Sequence, residues 1–174
     1  AALETGAGNV MLSIPTSPTH AMLKLQTDSE RRIMTLAART VEAARAAGLS
    51  VTFSAEDGAR TDPEFLERYV AAGAEAGADR FRLAETVSSL APGDVSELIG
   101  RLVAAAGPTE VEMHSHNMLG LSVANALAAA DAGAAWISCT IDGLGERGGN
   151  TPLAETLCVL KVLRGVDRFD LRPL

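Results

Sequence analysis

Two histidines separated by one residue, His114 and His116, are the side chains in this sequence whose type and spacing best suit chemistry. They follow the short apolar run Val111–Met113, which predicts a β-strand. A period of two places both imidazoles on one face of such a strand. Neutral imidazole is the commonest side-chain metal ligand, so the pair predicts half of a metal site. The alternative from this spacing alone is that both histidines bind carboxylates or water.

A glycine-rich stretch, GLGERGGN at residues 143–150, adds a second candidate for the site. Its glycines permit a tight loop and a close approach of the backbone to a neighbour. A phosphate-binding loop is disfavoured because the stretch lacks the Lys-Ser/Thr pair of a P-loop. Residues 117–125, which separate the two candidates, predict a loop that runs into an apolar helix.

Short apolar runs alternate with amphipathic or alanine-rich segments along the whole chain. This alternation is typical of βα units that build a parallel sheet, and it predicts an α/β fold. Polar side chains that end such strands should then meet at one edge of the sheet. Five strands are predicted, at Val10–Ile14, Leu49–Phe53, Arg80–Leu83, Val111–Met113 and Ala135–Ile141.

Local signals predict where the intervening helices begin. Thr27 and Thr61 each open a four-residue pattern of the capping-box kind, and residues 16–26 before the first of them predict a loop. The later helices are predicted to start at Pro92, near Gly120 and at Thr151-Pro152. Since no linker or low-complexity segment divides the sequence, residues 1–174 are predicted to form a single domain.

Composition restricts the class of protein. The 174 residues are 47% hydrophobic with a net charge of −7, which argues against nucleic acid or an anionic membrane as the main partner. The sequence has no signal-peptide pattern and no apolar run long enough to span a bilayer. Cys139 and Cys158 are too few for a disulfide framework, so we expect a reducing, cytoplasmic setting.

Taken together, HSHNMLGLSVAN and TIDGLGERGGN resemble the homocitrate synthase and 2-isopropylmalate synthase family, the Claisen-condensing branch of the metallolyase-type TIM barrels. SPTH…KL, SAEDGAR and AETV extend the resemblance over nearly the whole chain. A closed TIM barrel needs eight strands and about 250 residues. The resemblance therefore implies a partial barrel of about five parallel βα units, matching strands four to eight. The family's Asp-Arg-Glu strand is absent, so we expect a second copy or a complementary chain to complete the barrel.

The function that the resemblance implies is a metal-dependent acyltransferase that condenses an acyl-CoA with a 2-oxo acid. Its cofactor would be a divalent ion (zinc, manganese or magnesium), with the acyl-CoA as co-substrate. Two alternatives stay open. One is a non-catalytic partner subunit of such an enzyme, and the other is a related metal-dependent 2-oxo acid aldolase or lyase.

The resemblance also assigns roles to individual residues. It implies metal ligation by His114, His116 and Asn150, catalytic roles for Glu56 and Glu146, and substrate binding by His20, Ser54 and Thr86. Asp57 and Arg60 are expected to form a structural ion pair, and Arg147 to serve the glycine-rich loop itself. For His20 and Glu56 the alternatives are a solvent-exposed loop histidine and a solvated acid that precedes a helix.

The chain also departs from the family pattern near the predicted site. Thr52 stands where homocitrate synthases have a substrate-binding arginine, and Met118 stands where the family has an aspartate. Glu85 is a longer acid than the usual aspartate, and Ser88-Ser89 replaces a common glycine. These departures predict a reshaped pocket or relaxed selection.

Overall fold

A computed structural model of the protein describes residues 2–172. These residues contain five strands and six α-helices, which alternate except that two helices follow the first strand. The strands are β1 (Asn9–Pro15), β2 (Ser50–Glu56), β3 (Arg80–Glu85), β4 (Glu110–Ser115) and β5 (Trp136–Ile137). The helices are α1 (Pro18–Leu25), α2 (Glu30–Ala46), α3 (Pro63–Glu75), α4 (Pro92–Ala106), α5 (Ser122–Asp131) and α6 (Leu153–Arg164).

The strands form one sheet in the order β1-β2-β3-β4-β5, and every neighbouring pair is parallel. The predicted α/β class and the five parallel strands are therefore confirmed. Because all five strands run the same way, their carboxyl ends lie along one edge of the sheet. In the described residues β1 and β5 each have a single strand neighbour, so the sheet has two open edges.

One face of the sheet packs against the helices and holds the core. Phe53 of β2 and Phe81 of β3 are fully buried, with ring centroids 5.1 Å apart. Tyr69 of α3 packs on the same group, 5.5 Å from Phe53. At Gly73 of α3 an added Cβ would lie 2.2 Å from the Phe53 ring, so the helix approaches the sheet where it carries no side chain. This packing fixes α3 against β2 and β3.

The opposite face of the sheet is polar. Because side chains alternate along a strand, the residues between the core positions point away from the helices. On β3 and β4 these include Arg80, Arg82, Glu112 and His114, and Arg82 lies opposite Glu112 in the strand register. A charged inner face differs from the branched apolar layers that commonly fill a TIM barrel.

The prediction of a loop at residues 16–26 was wrong. These residues contain the helix α1, in which Ser17 is the N-cap and its side chain accepts a hydrogen bond from His20 N. Pro18 takes a first-turn position, where its missing N–H costs nothing. Gln26 ends the helix in the left-handed region. The prediction failed because the helix has only eight residues and little room for an apolar repeat.

The predicted capping residues and the last strand also need correction. The N-cap of α2 is Ser29 rather than Thr27, and the N-cap of α3 is Asp62 rather than Thr61. The predicted strand Ala135–Ile141 shortens to Trp136–Ile137, since Thr140 pairs with Thr151 instead of with β4. Thr140 and Thr151, which lie just before and just after the glycine-rich stretch, are therefore hydrogen-bonded to each other.

Candidate metal and substrate site

A cleft of about 480 Å³ opens at the carboxyl edge of the sheet. Seven of the eight predicted site residues line it, namely His20, Glu56, Thr86, His114, His116, Glu146 and Asn150. The remaining lining residues are Ser13, Lys24, Arg82, Ala84, Gly145 and Arg147. The structure thus brings together residues from every part of the sequence that was predicted to carry chemistry.

His114 and His116 lie on the same face of β4 and its extension, with ring centroids 5.0 Å apart. The Nδ1 atom of His116 lies 3.2 Å from the carbonyl oxygen of Glu85, which can hold the ring when Nδ1 carries the proton. Burial, together with the charge of Arg82, lowers the pKa of His114 to about 4. His114 is therefore neutral at pH 7 and keeps a lone pair for a ligand.

Asn150 reaches the same end of the cleft from the glycine-rich loop. Its Nδ2 donates to the carbonyl of Leu144, whereas its buried Oδ1 has no partner among the described residues. The Nδ1 atom of His114 is likewise buried without a partner there. An unpaired oxygen beside two imidazoles fits the donor set of a divalent ion. Residues 2–172 contain no group of three or more His, Cys, Asp or Glu that could hold a metal.

The glycine-rich loop is pinned against the end of β4. Asn117 N donates to the carbonyl of Gly149 at 2.8 Å, and His116 and Asn150 form a β-bridge. An added Cβ at Gly145 would lie 2.5 Å from Asn150 Nδ2, and one at Gly148 would lie 2.7 Å from the Cα of Met118. The loop therefore needs glycine at these two positions for close approach.

His20 and Glu56 meet across the cleft from α1 and β2. The Nδ1 of His20 lies 2.7 Å from Oε1 of Glu56, and Lys24 Nζ lies 2.6 Å from the same oxygen. Burial alone would raise the pKa of Glu56, but the hydrogen bonds from Lys24 and His20 outweigh burial and lower it. Glu56 is therefore an ionised carboxylate at neutral pH, held by two donors.

Thr86 and Ser54 are more occupied by protein contacts than the resemblance implies. The Thr86 hydroxyl accepts from Asp57 N at 3.0 Å and lies 3.4 Å from the Ala84 carbonyl. Ser54 is fully buried and accepts from Arg82 Nε at 3.3 Å, so it contacts the cleft through Arg82. Their roles in substrate binding stay predictions.

The expected ion pair of Asp57 and Arg60 is present. Asp57 is fully buried, and Arg60 donates to both of its carboxylate oxygens at 2.6–3.0 Å. Arg147 holds the loop as expected, because its guanidinium donates to the carbonyl of Thr86 at 2.6 Å and contacts the sulfur of Met118. Glu146 pairs with Arg147 at 3.1 Å and is exposed at the mouth of the cleft.

Ser88, at a position predicted to depart from the family pattern, makes defined contacts in the structure. Its backbone has φ of 51°, in the left-handed region that favours glycine. Its buried hydroxyl donates to the carbonyl of His116 at 2.8 Å and accepts from Met118 N at 3.2 Å. Ser88 therefore clamps the backbone that carries His116.

Sequence reasoning assigned no role to the cleft residues Lys24 and Arg82. Lys24 follows His20 by four residues, a spacing that puts both on one side of a helix. Predicting α1 would have revealed this pair. The signal for Arg82 was weaker. The alternation along β3 places Arg82 on the same face as Ala84, but it does not indicate which residues contact the guanidinium.

The sequence profile of the HMGL-like family matches residues 1–173. The chain belongs to the HMGL-like family. Homocitrate synthase AksA of Methanopyrus kandleri is 41% identical over 96% of the chain, and 2-isopropylmalate synthase 2 of Caldanaerobacter subterraneus is 38% identical over 95%. The chain spans 42% of the length of each of these relatives.

Solved HMGL-like structures share the fold. Hydroxymethylglutaryl-CoA lyase from Pseudomonas aeruginosa superposes with a TM-score of 0.84 at 20% identity, over 98% of this chain and 60% of that one. The likeness confirms the predicted TIM-barrel type of fold, with five parallel strands as part of a barrel. Within residues 2–172, no helix combines the length and apolar character needed to cross a bilayer.

Proposed function

We propose that this HMGL-like protein carries the metal- and substrate-binding part of an acyltransferase that condenses an acyl-CoA with a 2-oxo acid. The observation that carries the proposal is the neighbourhood of His114, His116 and the unpaired Oδ1 of Asn150 at the carboxyl edge of a parallel sheet. The named relatives at about 40% identity, a homocitrate synthase and a 2-isopropylmalate synthase, support the same reaction class.

His114, His116 and Asn150 would hold the divalent ion, which is zinc, manganese or magnesium. When bound, such an ion supplies Lewis-acid polarisation of a carbonyl group. The three residues offer two neutral nitrogens and one neutral oxygen, so they leave room for the oxygens of a bidentate ligand such as a 2-oxo acid. This donor set carries no negative charge of its own, and it binds a dication more weakly than a set with a carboxylate.

Glu56 and His20 are assigned the proton-handling role. The 2.7 Å separation of His20 Nδ1 and Glu56 Oε1 allows a proton to be shared between them. Lys24 on the same oxygen keeps Glu56 ionised, so the pair can accept a proton from the methyl group of an acyl-CoA. Thr86 and Ser54 would orient the 2-oxo acid, and Glu146 would close the mouth of the cleft as a catalytic or positioning acid.

The setting of the protein belongs to the same proposal. The open edges of β1 and β5 favour a second copy or a complementary chain as partner. Cys139 and Cys158 are both free thiols, which suits a reducing, cytoplasmic compartment. Sedimentation as a well-behaved monomer with cooperative unfolding would contradict the predicted partner.

Calorimetric titration with manganese or zinc tests the metal site. We expect His116→Ala to lose most of the metal affinity, since it removes one of two nitrogen ligands. The matched control is His20→Ala, which removes a histidine of the same cleft that is not a proposed metal ligand and should therefore leave metal binding in place. The proposal fails if His116→Ala binds the metal as tightly as the parent.

A second measurement follows the reaction itself. Release of the free CoA thiol from an acyl-CoA, in the presence of a 2-oxo acid and metal, reports condensation followed by thioester hydrolysis. His20→Ala and Glu56→Gln should lower this rate while metal affinity is kept. A protein that binds metal but never releases thiol with any 2-oxo acid would contradict the acyltransferase and favour the non-catalytic subunit.

A further inference from the structure

Asp57, directly after the last residue of β2, has a backbone conformation that few side chains adopt. Its φ of 57° lies in the left-handed region, and its side chain is fully buried. A residue other than glycine stays in this region only where its contacts outweigh the strain, and such residues concentrate at functional sites. The contacts that hold Asp57 therefore indicate what the strained turn does.

The main chain of Asp57 contacts the end of the neighbouring strand, β3. Its N–H donates to the hydroxyl of Thr86 at 3.0 Å. Its carbonyl oxygen accepts from the hydroxyl of Thr61 at 3.3 Å and from the N–H of Arg60 at 3.2 Å. The turn thus connects the carboxyl end of β2 to Thr86, one of the residues predicted to bind substrate.

The side chain of Asp57 reaches the start of α1. Its Oδ2 accepts from the hydroxyl of Ser17 at 2.5 Å, and Ser17 is the N-cap of that helix. The helix carries His20 and Lys24, which lie 2.7 Å and 2.6 Å from Oε1 of Glu56. Glu56 is joined to Asp57 by the chain itself. The contacts therefore close a ring from Asp57 through Ser17 and α1 to Glu56.

Asp57 acts on His20 through the helix and not by direct contact. The Nε2 atom of His20 lies 3.8 Å from Oδ2 of Asp57, which is beyond hydrogen-bond distance. Arg60 donates to both carboxylate oxygens of Asp57 and so compensates a buried charge. The two partners of the carboxylate thus differ in what they do, because Arg60 balances its charge whereas Ser17 places the helix.

We propose that Asp57 is a positioning residue of the cleft. It sets the placement of His20, Glu56 and Thr86 relative to one another. This inference rests on the proposed function, in which these three side chains handle protons and orient the 2-oxo acid. It goes beyond the ion pair with Arg60 that the sequence predicted. Placement matters because a shift of about 1 Å in a reacting group can lower a rate by about 100-fold.

Ser17→Ala tests the proposal without changing the carboxylate or its ion pair. The variant removes the hydrogen bond that holds α1 on Asp57, so we expect kcat for release of the free CoA thiol to fall by about 10- to 100-fold. The assay supplies acetyl-CoA, manganese and either 2-oxoglutarate or 3-methyl-2-oxobutanoate. Affinity for manganese, measured by calorimetry, should stay that of the parent, since the proposed metal ligands lie on other elements. Ser17→Gly should lose as much of the rate, because glycine serves as an N-cap at little cost and the loss then comes from Asp57.

Arg60→Gln is the matched control because it removes the other partner of the same carboxylate. It leaves the hydrogen bonds to Ser17 and Thr86 in place. We expect a lower urea midpoint of unfolding, since a buried charge loses its pair, with kcat close to that of the parent. If kcat falls in step with stability in both Arg60→Gln and Ser17→Ala, Asp57 is a structural residue only and the proposal is overturned.

Two changes at Asp57 itself compare a conservative with a severe replacement. Asparagine adopts the left-handed region readily and keeps a side-chain oxygen, whereas alanine does neither. Asp57→Asn should therefore keep more of kcat than Asp57→Ala. A kcat equal to that of the parent in both variants would contradict the positioning role.

Nitrogen NMR of the histidine side chains gives a readout that needs neither metal nor reaction. The chain has three histidines, so the imidazole signals of His20 can be assigned by substitution. In the metal-free protein Ser17→Ala should shift the His20 signals, because the contact with Glu56 loosens, and Arg60→Gln should leave them in place. Unshifted His20 signals in Ser17→Ala overturn the proposal. If the parent never releases thiol, the acyltransferase fails, and these spectra still decide whether Asp57 places His20.

Discussion

Asp79 directly precedes β3 and Glu85 is its last residue, and their surroundings shift the pKa values of the two carboxyl groups in opposite directions. At the amino end, Asp79 accepts hydrogen bonds from Val51 N at 2.7 Å and from Ser50 and Arg45 at 2.9 Å. These bonds, led by that from Val51, lower its pKa. At the carboxyl end, burial raises the pKa of Glu85 to about 7, against weak backbone hydrogen bonds.

The amino and carboxyl ends of the strands also differ in how many of their buried polar atoms lack a hydrogen-bond partner. Seven buried side-chain atoms of the described residues lack a hydrogen-bond partner, and only Arg80 Nε belongs to the amino end. The other six atoms lie at or after the carboxyl ends of the strands, and they belong to Glu85, His114, Ser115, Ser122, Asn125 and Asn150. Two of these residues, His114 and Asn150, line the cleft. The amino end thus holds its carboxylate with several donors, whereas the carboxyl end leaves two polar atoms of cleft residues unpaired.

The largest effect that separates the ends should come from Glu85→Gln. A carboxyl group whose pKa rises from 4.5 to about 7 on folding favours the folded state when protonated. Its contribution is greatest below the unfolded value and falls as pH increases from 4.5 to about 7. By pH 8 this costs the metal-free parent about 3 kcal/mol, from about 1.4 kcal/mol per pKa unit.

Urea unfolding of the metal-free protein at several pH values between about 5 and 8 checks this prediction. Glutamine keeps the shape but cannot ionise, so the variant should gain stability over the parent as pH rises. Parallel profiles for the two proteins would show that Glu85 is not buried as described.

A smaller and opposite effect is expected from Asp79→Asn at the amino end. Because the pKa of Asp79 is lowered, its contribution is present above the ordinary value of 3.8 and is lost as pH falls through the lower, folded value. The side chain is partly exposed, so we expect a loss of about 1 kcal/mol at pH 7. Metal affinity at the other end should not change, and a change there would break the division between the ends.

Much of the fold followed from the sequence because its signals are local. Five apolar runs predicted five strands, and parallel pairing followed from the alternation with helices. What failed was also local in origin. The helix α1 is too short to show an apolar repeat, and β5 ends early because Thr140 finds a partner in Thr151, eleven residues later. Pairings of that kind leave no periodic trace in the sequence.

The sequence predicted most of the residues that line the cleft, but it did not predict their contacts with one another. His114 and His116 share a face because a strand has a period of two, and that needs no tertiary information. That Arg82 has no ion pair among residues 2–172 depends on Glu112 being taken by Arg80 and Ser138, two contacts that only the folded sheet defines. Identifying a free cation requires knowing the partners of every neighbouring anion.

The last effect, which we expect to be no larger than that of Asp79→Asn, concerns Ser88 at the carboxyl end, one of the two serines predicted from the resemblance to replace a glycine. Ser88→Ala removes both hydrogen bonds to the backbone around His116 and keeps the strained φ, so we expect a loss of about 1 kcal/mol in unfolding free energy. Ser88→Gly removes the same bonds but relieves the strain, so it should be less harmful. Chemical denaturation and metal titration of both variants check this. Equal effects would show that the hydroxyl, and not the backbone conformation, decides.

The contacts of Gly145 and Gly148 limit how this protein can change over generations. Neither position tolerates even a methyl group without displacing Asn150 or the backbone at Met118, so both should resist drift. Leu144, the residue just before Gly145, is by contrast exposed, and no side-chain contact of the cleft depends on it. Inherited variety in the loop, and useful diversity in a laboratory library, should therefore enter at Leu144 rather than at the two glycines.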